Sequence, residues 1–141
     1  ILIGLVGSEM CIRDRLITEQ TITDNIRVAK DKGNCITCVP ATETFIINQA
    51  DGSLEIPDRG QCMIARAPQT FHLKDILSAH KTAISEGRKN FIDSCGLMTY
   101  YGQRMNTIIG PMENIKITTP TDFFIFRAMV EVHENQQIFG F

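Results

Sequence analysis

Cys35-x-x-Cys38 is a pair whose residue type and spacing could do chemistry, because two thiolates so placed can share a zinc ion or cycle through a disulfide. Its surroundings argue for burial instead. NCITCVP is apolar and β-branched and reads as a strand ending at Pro40, and residues three apart on a strand face opposite sides. No second CxxC or HxxxH pair supplies further ligands. Cys62 and Cys95 have no motif around them and read as small core hydrophobes. His72, His80 and His133 fall in segments read as helical, eight or more positions apart, so packed or solvated roles are expected of each. GxSxG, HExxH and P-loop patterns are absent, which leaves hydrolase and kinase readings without a motif.

The elements that must position these residues alternate between helix and strand. Thr18 can cap a helix over EQTITDNIRVAKDK, with Ile22, Ile26 and Ala29 on one face and Gly33 as its stop. After the NCITCVP strand, TFIINQ, a turn at Ala50-Asp51-Gly52-Ser53 and the returning LEIPDR make a protruding hairpin. QCMIARAPQTF reads as a strand leaving through Pro68. LKDILSAHKTAISEG reads as an amphipathic helix with Leu73, Ile76, Leu77, His80 and Ile84 along one stripe, ended by Gly87. A short helix through DSCGLMTYY to Gly102, strands at MNTIIG and NIKIT, and a last helix from Thr121 to about Glu134 complete an α/β pattern. No repeat or low-complexity linker interrupts it.

Composition agrees with an ordinary globular domain. Of 141 residues, 43% are hydrophobic and 21% charged, with 14 Lys+Arg against 16 Asp+Glu; there is no basic excess for nucleic acid and no apolar run long enough for a membrane span. Five cysteines is an odd count for a disulfide scaffold and favours a reduced, cytoplasmic setting. The opening ILIGLVGSEMCIRDR lacks the basic start and small-residue cleavage site of a signal peptide. From Leu5 to Arg15 it resembles the conceptual translation of a sequencing adaptor. Residues 1–15 are therefore expected to be non-native, and residues 16–141 to carry the protein.

Two further segments resemble a known family. ARAPQTFHLKDILSAH, taken with NIKITTPTDFFIFRAM, resembles the C-terminal half of the cytidylyltransferases that make CDP-methylerythritol in isoprenoid biosynthesis, and of their relatives making CDP-ribitol. The resemblance implies an incomplete Rossmann-like nucleotidyltransferase fold whose N-terminal half is missing, with a protruding β-arm over about residues 40–62. It implies transfer of a cytidylyl group from CTP to 2-C-methyl-D-erythritol 4-phosphate or D-ribitol 5-phosphate, with release of pyrophosphate and Mg2+ as cofactor. It also implies a homodimer whose arms reach the neighbouring subunit. Lys116 in NIKIT matches the lysine that holds the acceptor phosphate. Arg59 in IPDRG and Thr44 in VPATETF match the arm residues that reach the acceptor's phosphate or hydroxyls, roles suited to a guanidinium fork and a hydroxyl.

Three departures bear on that expectation. Ala67 stands where many members carry a threonine before Pro-Gln. IDSCGLMTYYG keeps Asp93 and Gly102, but Cys95 and Thr99 replace an alanine and a glutamate. The Gly-rich loop that cradles CTP phosphates in the family is absent, and Asp14-Arg15 fall at the place of a metal-binding Asp-Ala-x-Arg-Pro strand end only through the adaptor-like segment. Such a chain alone is expected to be inactive, with the metal ligands in the missing half. The alternative expectation is a non-catalytic α/β binding or assembly module derived from the same fold.

Overall fold

The computed structural model describes residues 3–5 and 16–139, with side chains given from 16 to 135. Residues 6–15, including Cys11, Asp14 and Arg15, and residues 140–141 lie outside the described residues. A mixed sheet organises the chain. Its strands are β1 (Ile3–Leu5), β2 (Cys35–Pro40), β5 (Met63–His72) and β6 (Asn106–Ile109), in the spatial order β1-β5-β2-β6. β5 runs antiparallel to both of its neighbours, while β6 runs parallel to β2. β1 pairs Ile3 with His72 and Leu5 with Thr70; ladder bonds use main-chain groups alone, so the pairing is indifferent to which residues stand at 3–5.

Helix α1 (Glu19–Lys32) forms as its caps dictate. The Thr18 hydroxyl accepts from the Thr21 N–H, and Gly33 closes the last turn at φ 97°, where a side chain would strain the backbone. The buried face of α1 differs from the expected one: Thr21, Asn25 and Ala29 face the sheet, and Ile22 and Ile26 are half-buried on its flank. The reason is a polar core. Asn25, fully buried, donates from Nδ2 to Thr37 Oγ1 at 2.8 Å and to the Thr21 carbonyl at 2.9 Å. Its Oδ1 accepts from Thr70 Oγ1 at 3.4 Å, and the Cys35 thiol donates to its carbonyl at 3.4 Å. Cys35, Thr37 and Thr70 thus share the α1 side of the sheet.

The opposite side of the sheet is apolar. Phe71 packs there with Ile76, Ala79 and Ala83 of α2 (Leu73–Ser85) and Leu97 and Met98 of α3 (Ser94–Tyr100). The expected α2 stripe is turned. Ile76 is buried, but Leu73, Leu77 and Ile84 are 45%, 47% and 75% exposed, and His80 is exposed as well. Two alanines facing inward let the helix approach the sheet closely, and that displaces the larger residues outward. His72 ends β5 rather than lying in a helix; its Nε2 donates to the Ala29 carbonyl at 2.8 Å, because a carbonyl can only accept.

Pro68 does not end its strand. β5 continues to His72, and the register against β2 shifts between Ile36–Gln69 and Thr37–Arg66, leaving Ala67 and Pro68 as a bulge. The Ala67–Pro68 peptide is cis. A bulge is where a strand tolerates a residue without an N–H donor. The arm is the hairpin β3 (Ile47–Asn48) and β4 (Leu54–Glu55), turned through Gly52 at φ 84°. Helix α4 (Pro120–Phe139) starts one residue before the expected position and runs on past its expected end at about Glu134.

Candidate functional site

Lys116 lies outside any strand. NIKIT was expected to be one, but residues 115–118 run as irregular chain between β6 and α4, and side chains hold them in place of a ladder. Asn114, 2% exposed, donates from Nδ2 to the Ala67 carbonyl at 2.6 Å. Ile117 is buried beside it, while Lys116 is exposed. Beyond Lys116, Asp122 Oδ2 accepts from the Thr118 N–H, the Thr118 hydroxyl and the Thr119 N–H at 2.9, 3.0 and 2.7 Å. Thr119 Oγ1 accepts in return from the Asp122 N–H at 3.2 Å. This is a reciprocal capping box with Pro120 at the first helical position. The T-T-P-T-D pattern was a sequence signal for it.

The capping carboxylate has a consequence that can be measured. Backbone and hydroxyl hydrogen bonds from Thr118 and Thr119 pull Asp122 down to about 2, below the ordinary value of about 3.9. A carboxyl depressed in the folded state stabilises it fully above about pH 4 and loses that contribution as pH falls toward 2. Asp122→Asn should therefore flatten the acid limb of the thermal-stability profile over that window. An unchanged acid limb would count against the cap.

The arm residues come together at its base. The Ala41 N–H donates to the Cys62 carbonyl at 3.1 Å, and Arg59 Nη1 donates to the Thr42 carbonyl at 3.5 Å. Arg59 opens a single 3-10 turn (Arg59–Gln61) steadied by Asp58, whose Oδ1 accepts from the Gly60 N–H at 2.9 Å. Arg59 is exposed, and Thr44, two residues past Thr42 in irregular chain before β3, is exposed as well. Phe45, Ile46, Ile47, Leu54 and Ile56 leave the arm apolar and at least 39% exposed. Among the described residues no hydrogen bond or ion pair joins Lys116 to Arg59 or Thr44. The Lys116 segment is tied to the β5 bulge, and the other two belong to the arm.

A second amide works on the far side of the bulge. Gln69 Nε2 donates to Asp93 Oδ2 at 2.7 Å, and its Oε1 accepts from the Cys95 N–H at 3.0 Å. Asp93 Oδ1 caps α3 by accepting from the Gly96 N–H at 2.7 Å. The start of α3, which carries the departures at Cys95 and Thr99, is thereby fixed to β5. Neither Asn114 nor Gln69 announced this role in the sequence beyond standing in the two distinctive segments.

Cys35 and Cys38 face opposite sides of the sheet, and burial pushes the Cys35 thiol up to about 11, which opposes the thiolate that zinc or redox chemistry needs. The described cysteines are all free. Among the described residues no three His, Cys, Asp or Glu side chains come together to hold a metal ion. A shallow pocket lined by His80, Arg88, Lys89, Phe91, Asp93 and Ser94 holds none of the three expected site residues, and Arg88 is engaged by Glu86 at 3.1 Å and by the Tyr100 ring. No helix among the described residues is long and apolar enough to cross a membrane.

The sheet with α1 on one face, α2 and α3 on the other, and an arm extended from it is a Rossmann-like α/β arrangement shared with solved nucleotidyltransferases. The 4-diphosphocytidyl-2C-methyl-D-erythritol synthase from Anaerococcus prevotii superposes with a TM-score of 0.76 at 21% identity, over 84% of this chain and 53% of that one. The 2-C-methyl-D-erythritol 4-phosphate cytidylyltransferase from Thermus thermophilus gives 0.73 at 18% identity, over 84% and 58%. In sequence, the ribitol-5-phosphate cytidylyltransferase of Streptococcus agalactiae serotype III is 45% identical over 126 residues, 89% of this chain and 53% of that protein. The Vibrio parahaemolyticus protein of the same name is 44% identical over 126 residues. The family model for 2-C-methyl-D-erythritol 4-phosphate cytidylyltransferase (IspD) matches residues 12–132. The chain belongs to this family. It spans about half the length of the curated relatives it matches, and the family match begins within the segment that resembles an adaptor.

Proposed function

We propose that residues 16–141 are the acceptor-binding, dimerising C-terminal half of a CTP-dependent polyol-phosphate cytidylyltransferase. The observation that carries this reading is the 45% identity over 126 residues to a ribitol-5-phosphate cytidylyltransferase; bifunctional IspD/IspF relatives stand at 36–38%. D-ribitol 5-phosphate is accordingly the favoured acceptor, and 2-C-methyl-D-erythritol 4-phosphate the other candidate. An acceptor phosphate oxygen attacks the α-phosphorus of CTP, a new P–O bond forms, and the bond to the leaving pyrophosphate breaks.

Two polyanions must be brought in line, so cations fixed in advance have the most to contribute. Lys116, on a segment anchored at both ends, places its ammonium against the acceptor phosphate. Arg59 and Thr44, at the base of the arm, reach the acceptor bound by the neighbouring subunit, with the exposed apolar arm residues as the dimer contact. Mg2+ would neutralise the CTP phosphates, with its ligands in the other half of the protein. A cytoplasmic setting fits free cysteines and phosphorylated substrates.

The full-length protein tests the reading. Pyrophosphate should be released from CTP when D-ribitol 5-phosphate is added and not before. Silence with both polyol phosphates would refute the assignment and leave the binding-module alternative standing.

A further inference from the structure

Lys116 is exposed and sits in a stretch without a strand partner, yet its place is fixed. From Ile115 to Thr119 the main chain makes few hydrogen bonds: the Ile115 N–H donates to the Glu113 carbonyl, the N–H groups of Thr118 and Thr119 donate to Asp122, and the Thr119 carbonyl accepts from the Phe123 N–H in the first turn of α4. The Asp122 box ties the segment to α4. What ties it to the sheet is Asn114, whose buried amide donates to the Ala67 carbonyl at the β5 bulge at 2.6 Å, across 47 positions of sequence. The Asn114 N–H also closes the turn after β6 by donating to the Pro111 carbonyl at 3.3 Å. One residue therefore joins the end of β6, the bulge of β5 and the start of the Lys116 segment.

We infer that Asn114 is the positioning residue for Lys116: its amide sets the distance of the ammonium from the bulge and hence from the acceptor phosphate. The inference rests on the acceptor-binding reading of Lys116. It follows from the chemistry of the bond, since a side-chain amide donates where a carboxylate of the same shape only accepts. Asn114→Asp keeps the volume, loses the donor and sets a negative charge against a carbonyl oxygen. The Lys116 segment then loses its sheet tether while α4 keeps its cap. A misplacement of about an ångström at a binding cation costs on the order of 100-fold.

The test is a double-mutant cycle in the full-length protein, with pyrophosphate release followed against each substrate. Asn114→Asp should lower kcat/KM for the polyol phosphate by about 10- to 100-fold, mostly through KM, with KM for CTP changed less than about twofold. In a Lys116→Ala background the same change should cost little more, because the group it positions has gone. Asn114→Ala, which removes the amide without adding a charge, should show the same selective loss toward the polyol phosphate, and it stands in for the aspartate variant if that fails to fold. Equal losses toward both substrates, or a cost that simply adds to that of Lys116→Ala, would overturn the positioning role while leaving the enzyme assignment intact. A wild-type protein that turns over neither acceptor would overturn both.

Discussion

Lys116→Ala in the full-length enzyme should raise KM for the polyol phosphate by about 10- to 100-fold and leave KM for CTP nearly unchanged. A hydrogen bond to a charged group contributes about 1.5–3 kcal/mol, and the lysine is exposed, with no carboxylate partner among the described residues to compete for it. Its removal should therefore show in acceptor use rather than in folding. Lys116→Arg should recover only part of the loss. A guanidinium carries the charge, but its planar fork does not reproduce a compact ammonium set at a fixed distance from a phosphate. Steady-state kinetics with each substrate varied in turn decides the matter, and matched losses for CTP and acceptor would remove Lys116 from the role given to it.

The largest effect on stability is expected at Asn25. This side chain is the centre of the buried network under α1, and truncating it strands two groups together, the hydroxyls of Thr37 and Thr70, while the Cys35 thiol keeps the Asn25 main-chain carbonyl. Each buried donor or acceptor left alone costs about 1–3 kcal/mol, so Asn25→Ala should cost roughly 2–4 kcal/mol. For a domain of about 150–250 residues that lowers the melting temperature by roughly 4–16 °C. Thr37→Val in the Asn25→Ala background should cost less than it does alone, because a partnerless hydroxyl is then exchanged for a methyl. Thermal denaturation of the four proteins measures the coupling, and strictly additive costs would show that no network exists there.

How much of this was legible in the sequence depended on how far apart the interacting groups are. Helix α1 could be read to the residue because Thr18 and Gly33 act within one turn of its ends. The strand at NCITCVP and the turn at Gly52 were equally local. The face of α2 was misread because periodicity ranks residues by hydropathy, whereas close packing on the sheet selected Ala79 and Ala83 for the interior. NIKIT has the composition of a strand, but being one requires a neighbour to pair with, and no property of five residues supplies that. The capping box at Thr119 and Asp122 was written locally and was overlooked. The amide links from Asn114 to Ala67 and from Gln69 to Asp93 could not be read at all, since nothing in either asparagine or glutamine names a partner 47 or 24 positions away.

The same separation leaves one of these long-range ties independent of the side chain at its far end. At the β5 bulge it is the carbonyl of Ala67, a main-chain atom every residue type possesses, that receives Asn114. The side chain at that position is no part of the scaffold. Exchange of threonine for alanine there leaves the atom that Asn114 grips untouched, so the tie between β5 and the Lys116 segment is one that a change of side chain at position 67 does not remove.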